Sequence, residues 1–215
     1  MLAGTGHVLE TTENGVRCLS CSAFWADKHT EELLEEDCPE APVSGALPLR
    51  LIGEVTEDSV QRLLGQIDRR VAEASERPVK AVLWITSFGG DVASALGFHE
   101  AVRELQEQGT LQLHTIAAGQ CSSAALLLFL GGNARSITPH TAVVVHAPSV
   151  AEVDPNFSLP VKGEIEEFGR LFAQILSEAT EGRATEEMTL QMMREGRVLS
   201  PEECVALGIA HTIEQ

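Results

Sequence analysis

The stretch "KAVLWITSFGGDVASALGFHEAVRELQEQG" (Lys80–Gly109), followed by "LQLHTIAAG" (Leu111–Gly119), decides the fold. Its opening "KAVLWITS" is a nearly continuous apolar run, which suits a strand buried on both faces. The residues from Asp91 to Gly109 read as a helix, and those from Leu111 as a second strand. A strand, a helix and a strand in that order form a βαβ unit, whose two strands run parallel. Gly89 and Gly90 close the first strand, and their lack of a Cβ lets backbone N–H groups approach a ligand closely.

The pattern extends in both directions. Upstream, "LPLRLIGEV" (Leu47–Val55) alternates as a strand does, and the next segment spaces Val60, Leu63, Leu64, Ile67 and Val71 three or four apart, as in an amphipathic helix. Downstream, "SSAALLLFLGG" reads as a short buried helix and "TAVVVHAP" as a strand. After Pro160 the chain turns helical, with "GEIEEFGRLFAQILSEATEG" the longest candidate. The expected class is therefore α/β, with a mostly parallel sheet covered by helices. A composition shift near "CPEAPVSGALPL" (Cys38–Leu49) divides the chain into a small N-terminal module, 1–42, and a main domain, 43–215.

With 215 residues, 44% of them hydrophobic, the chain can build one substantial core. Its longest apolar run, Ala124–Leu130, is far short of the roughly 20 residues that cross a bilayer, and the first ten residues lack a basic segment followed by an apolar one. A soluble, cytoplasmic protein with no membrane association is expected. Fifteen basic against 32 acidic residues give a net charge of −17, which argues against nucleic-acid binding by phosphate neutralisation. Seven of the acids lie between Asp27 and Glu40, a pattern that suits a solvated helix face. Five cysteines is an odd count, so a disulfide framework is not expected.

Functional groups in open parallel sheets gather at the carboxyl ends of the strands. There "AAGQCSSAAL" (Ala117–Leu126) sets Cys121, Ser122 and Ser123 at a strand-to-helix junction, where any of the three could be a nucleophile or simply begin a buried helix. Such a junction exposes the side chain and offers backbone N–H groups to a developing oxyanion. An alcohol also needs a base, and His146, after three β-branched residues, can supply one. The plainer alternative is a serine N-cap and a hydrogen-bonded core histidine.

The order of the segments decides between these readings. From about Leu47 onward, "LIGEV…ITSFGGDVASALGFHEAV…TIAAGQCSSAA…LGGNARSITPHTAVVVHAP…GRVLSPEECVALGIAHTI" resembles the proteolytic subunit of the ATP-dependent Clp protease over roughly four fifths of the chain. The resemblance implies a ClpP-like, crotonase-like β-α superhelix core with a handle helix over 163–179. It also implies a self-compartmentalising serine endopeptidase that forms a homo-oligomeric ring, a heptamer or double heptamer. An AAA+ unfoldase would feed this ring unfolded polypeptides. By position it sets the nucleophile on Ser123, the general base on His146 and the oxyanion-hole donors on the Gly90 and Ala124 N–H groups. The family's third member, an Asp, falls on Gly196; Glu195 and then Asp154 are the substitute acids. That departure keeps open a catalytically weak or inactive ring subunit. Another crotonase-fold enzyme acting on acyl-CoA is a further alternative, which the Ser123 and His146 pair disfavours.

The first forty residues depart from the family. Cys18 and Cys21 form a C-x-x-C knuckle that Cys38 and His7 would complete as a tetrahedral, structural zinc site, with His29 as the other candidate for fourth ligand. The unit resembles zinc-ribbon-like or treble-clef modules in which a strand bearing His pairs with the strand leading into C-x-x-C. Reduced structural cysteines are the plain alternative.

Overall fold

The computed structural model describes residues 9–12, 15–18, 24–26, 45–147 and 162–214. Near the N-terminus, β1 (Leu9–Thr12), β2 (Gly15–Cys18) and β3 (Phe24–Ala26) form an antiparallel sheet in that order, with Leu9 opposite Cys18.

The main sheet is built from β4 (Leu47–Val55), β5 (Val79–Gly90), β6 (Leu111–Ser122), β7 (Ala134–Ile137) and β10 (Thr212–Ile213), side by side and all parallel. Helix α1 (Glu57–Glu73) joins β4 to β5, and α2 (Val92–Glu107) joins β5 to β6. A reciprocal Thr56 and Ser59 capping box opens α1, and the Asp91 carboxylate accepts the Ser94 N–H at 2.6 Å to open α2. Both starts satisfy amide groups that the first turn leaves without partners.

The expectation that β5 is buried on both faces is corrected. Val79, Ala81, Leu83, Ile85 and Ser87 are buried, whereas alternate residues reach solvent, including Trp84 (37% exposed) and Phe88 (57%). Strand order supplies the reason. The strands follow one another across the sheet, and right-handed crossovers that all step the same way return every helix to the same side. The opposite face carries Ile52 (73% exposed), Trp84 and Phe88 without a helix from this chain over them among the described residues.

The short helix α3 (Ala124–Leu130) is buried along its whole length. It packs against β5, β6, α2 and α4 (Lys162–Ala179), the element read as the handle helix. The chain then forms α5 (Glu186–Glu195), β9 (Arg197–Leu199) and α6 (Pro201–Ala206). Strand β8 (Ala142–Val145) pairs with the end of β6 in parallel and with β9 antiparallel. No described helix is long and apolar enough to cross a membrane.

Candidate active site

A change of partner along β6 creates the site. His114 to Ala117 pair with β7, but Gln120 to Ser122 pair with β8. On its other side β6 pairs Ala117 with Ile85 and then Cys121 with Ser87, so it spends two extra residues at the bend. Gly119 occupies that bend at φ +70°, a conformation that suits glycine. The buried Thr141 hydroxyl laces it, accepting the Gly119 N–H at 3.1 Å and donating to the Ala117 carbonyl at 3.1 Å.

The bend delivers the three small residues differently. Cys121 is completely buried, and burial pushes its thiol well above the usual range. Ser122 is buried, with its Oγ accepting the Gln120 Nε2–H at 3.1 Å. Ser123 is partly open. It stands at the N-cap position of α3, yet its side chain makes no capping bond, and its backbone is at φ 52°, ψ −131°. A positive φ at a non-glycine residue costs on the order of 1–3 kcal/mol and needs surrounding structure to hold it. Here the Ser123 N–H donates to the Val144 carbonyl at 3.1 Å, and its carbonyl accepts the Leu126 N–H at 2.9 Å.

Gly89 makes this conformation possible. A Cβ on Gly89 would lie 2.6 Å from Ser123 Cβ and 3.2 Å from its Oγ, so the β5 backbone passes directly against the serine. The next residue, Gly90, at φ +148°, abuts the Val55 carbonyl in the same way. Ala124, the first residue of α3, is buried.

His146 follows β8, as Ser123 follows β6, so the two stand at the carboxyl ends of neighbouring parallel strands. The His146 ring is partly buried, and its Nδ1 lies 2.9 Å from the Ala147 carbonyl oxygen. Glu195, the first substitute acid, accepts instead from Gln191 Nε2 at 2.8 Å. It lines a groove of about 350 Å³ with Met188, Met192, Arg197 and Leu199, between α5, β9 and α6. Gly196 caps α5 in the left-handed conformation, φ 64°, ψ 47°. Asp154 lies outside the described residues, as do His7, Cys21, His29 and Cys38; Cys18 ends β2. Among the described residues no three His, Cys, Asp or Glu side chains group as metal ligands would.

Sequence reading did not assign Thr141 or Ala147 to the site. Nothing in their residue type signals it, because one acts through a strand bend and the other through its carbonyl. Gly89 was visible as a turn residue, but not as the residue that accommodates Ser123.

A partly open serine at a strand-to-helix junction and a histidine ending the adjacent strand are the residue types that serine hydrolases use as nucleophile and base. Comparison with known proteins narrows the class. The Clp protease family model matches residues 47–215, and the chain belongs to that family of peptidases. It is similar to the ATP-dependent Clp protease proteolytic subunit 1 of Thermobifida fusca (strain YX), with 23% identity over 171 residues, 74% of this chain and 70% of that protein. The structure of ClpP1 from Listeria monocytogenes shares the fold, with a TM-score of 0.63 at 18% identity, covering 78% of this chain and 91% of that one.

Proposed function

We propose that this chain is the protomer of a self-compartmentalising serine endopeptidase acting on unfolded polypeptides. The carrying observation is the uncapped Ser123 held at positive φ against Gly89. Ser123 Oγ attacks the scissile carbonyl carbon while His146 Nε2 takes its proton. The Gly90 and Ala124 N–H groups receive the oxyanion. His146 then returns the proton to the leaving amine, and water releases the acyl group by the same route. The ring assembly and the AAA+ unfoldase partner are carried over from the family. They fit a chain with an apolar sheet face, Ile52, Trp84 and Phe88, open to a second copy or a partner.

The test is hydrolysis of an unfolded protein by the purified assembly, beside Ser123→Ala and His146→Ala. Both variants should lose activity while keeping wild-type oligomer mass. Cleavage that survives in Ser123→Ala would remove the assignment.

The departure at Gly196 favours a second reading, a ring subunit with little or no activity. It differs by showing no hydrolysis in the wild-type assembly.

For the N-terminal module the proposal is a structural zinc held by Cys18, Cys21, Cys38 and either His7 or His29. Cys18 ending a strand that pairs with β1 suits a ribbon-type site. Wild type should carry one zinc per chain and Cys18→Ser much less; equal content in both would remove the proposal.

A further inference from the structure

We infer that the backbone carbonyl of Ala147 orients His146 in the role that a carboxylate holds in a triad. The inference rests on the assignment of Ser123 and His146 as nucleophile and base.

His146 Nδ1 lies 2.9 Å from the Ala147 carbonyl oxygen. A carbonyl can only accept, so Nδ1 carries the hydrogen. In the neutral ring Nε2 is then the unprotonated nitrogen, as a general base for Ser123 requires. An orienting group must itself be fixed, and Ala147 is fixed from both sides. Its N–H donates to the Met193 carbonyl at 3.0 Å, in the last turn of α5. Pro148 follows it in the sequence and restricts its ψ to extended values, which limits where the carbonyl can point.

Among the described residues, the same end of α5 brings no carboxylate to this place. Gly196 closes the helix with its N–H on the Met192 and Met193 carbonyls, and Glu195 points along the helix to Gln191. Gly196, the cap of α5, thus has no side chain, and Glu195, the last residue of the helix, is engaged elsewhere. Ala147 is a positioning residue: it touches the base and not the substrate.

Two measurements on the full-length assembly test this. The first is steady-state hydrolysis of an unstructured fluorogenic peptide by wild type, Glu195→Gln, Asp154→Asn and the double variant, with Ser123→Ala as blank. Each should keep kcat within about threefold of wild type, whereas loss of a working triad acid costs about 10⁴-fold. A fall of a hundredfold or more in any of them would assign the orienting role to that carboxylate. The second is the imidazole nitrogen NMR spectrum of histidine-labelled protein, with His146 assigned by its loss in His146→Gln. Protonated Nδ1 and unprotonated Nε2 in the neutral ring are expected; the opposite tautomer would overturn the inference. The spectrum reads the tautomer whether or not the site turns over. Peptide cleavage that persists in Ser123→Ala instead marks failure of the underlying site assignment.

Discussion

Gly89 has no room for a side chain. Its Cβ would collide with Ser123 Cβ, and its φ of +111° already disfavours any residue but glycine. Gly89→Ala should therefore displace the serine, and a displacement of about 1 Å costs on the order of a hundredfold in rate. Peptide hydrolysis by the folded variant checks this. Gly196 offers the opposite case. A Cβ there meets nothing within 4 Å, and Asp and Asn tolerate the left-handed conformation. If a carbonyl orients His146 without a full negative charge, Gly196→Asp should raise kcat at unchanged KM, and Gly196→Asn should match wild type. The cysteines of the core behave as packing residues. Burial pushes the Cys204 thiol up to about 12 and that of Cys121 higher still, so neither should react with a thiol alkylator until the protein unfolds.

Among the elements, β4, α1, β5, α2, α3 and β8 were legible because each carries its own period or a continuous apolar run. The exposed face of β5 was not, because Val82 and Trp84 make the run look buried on both sides and only strand order shows where the helices go. The short strands β7, β9 and β10 were also hidden, since three or four residues cannot display a period. One of them carries its own anchor. Buried Arg135 on β7 donates to the carbonyls of Gly132, Ala179, Gly208 and Ile209, tying α4 and the turn after α6 to the sheet. Arg135→Met would strand these carbonyls, with an expected loss of about 3–5 kcal/mol, read by denaturant unfolding. Helices α2 and α3 are joined by His99, whose Nδ1 donates to the Leu127 carbonyl at 3.1 Å. Burial lowers the pKa of His99, and burial does the same first of all to His114 and His211. Each binds its proton more readily unfolded than folded. Their contribution to stability is thus full above about pH 6.5 and is lost as pH falls through the depressed folded values. The melting temperature should drop on acidification below about pH 6.5, and His99→Gln should flatten part of that drop.

For the whole molecule, the chain's local chemistry left Cys121, Ser122 and Ser123 as alternatives at the junction, and the proposed choice of Ser123 with His146 came from the family resemblance. The parts proposed for Gly89 and the Ala147 carbonyl depend on how separate elements meet. The face with exposed Ile52, Trp84 and Phe88, which no helix covers among the described residues, is a property of the folded protomer, and it is the surface that the proposed ring would use. Ile52→Asp with Trp84→Asp should lower the native mass without unfolding the protomer, as read by light scattering and circular dichroism. The most direct test of the serine peptidase assignment is labelling by a fluorophosphonate probe, mapped by mass spectrometry, in wild type and Ser123→Ala. Covalent label on Ser123 in wild type and none in the variant is the expected result. Equal labelling of both proteins, or no labelling of wild type under any assembly condition, would contradict it.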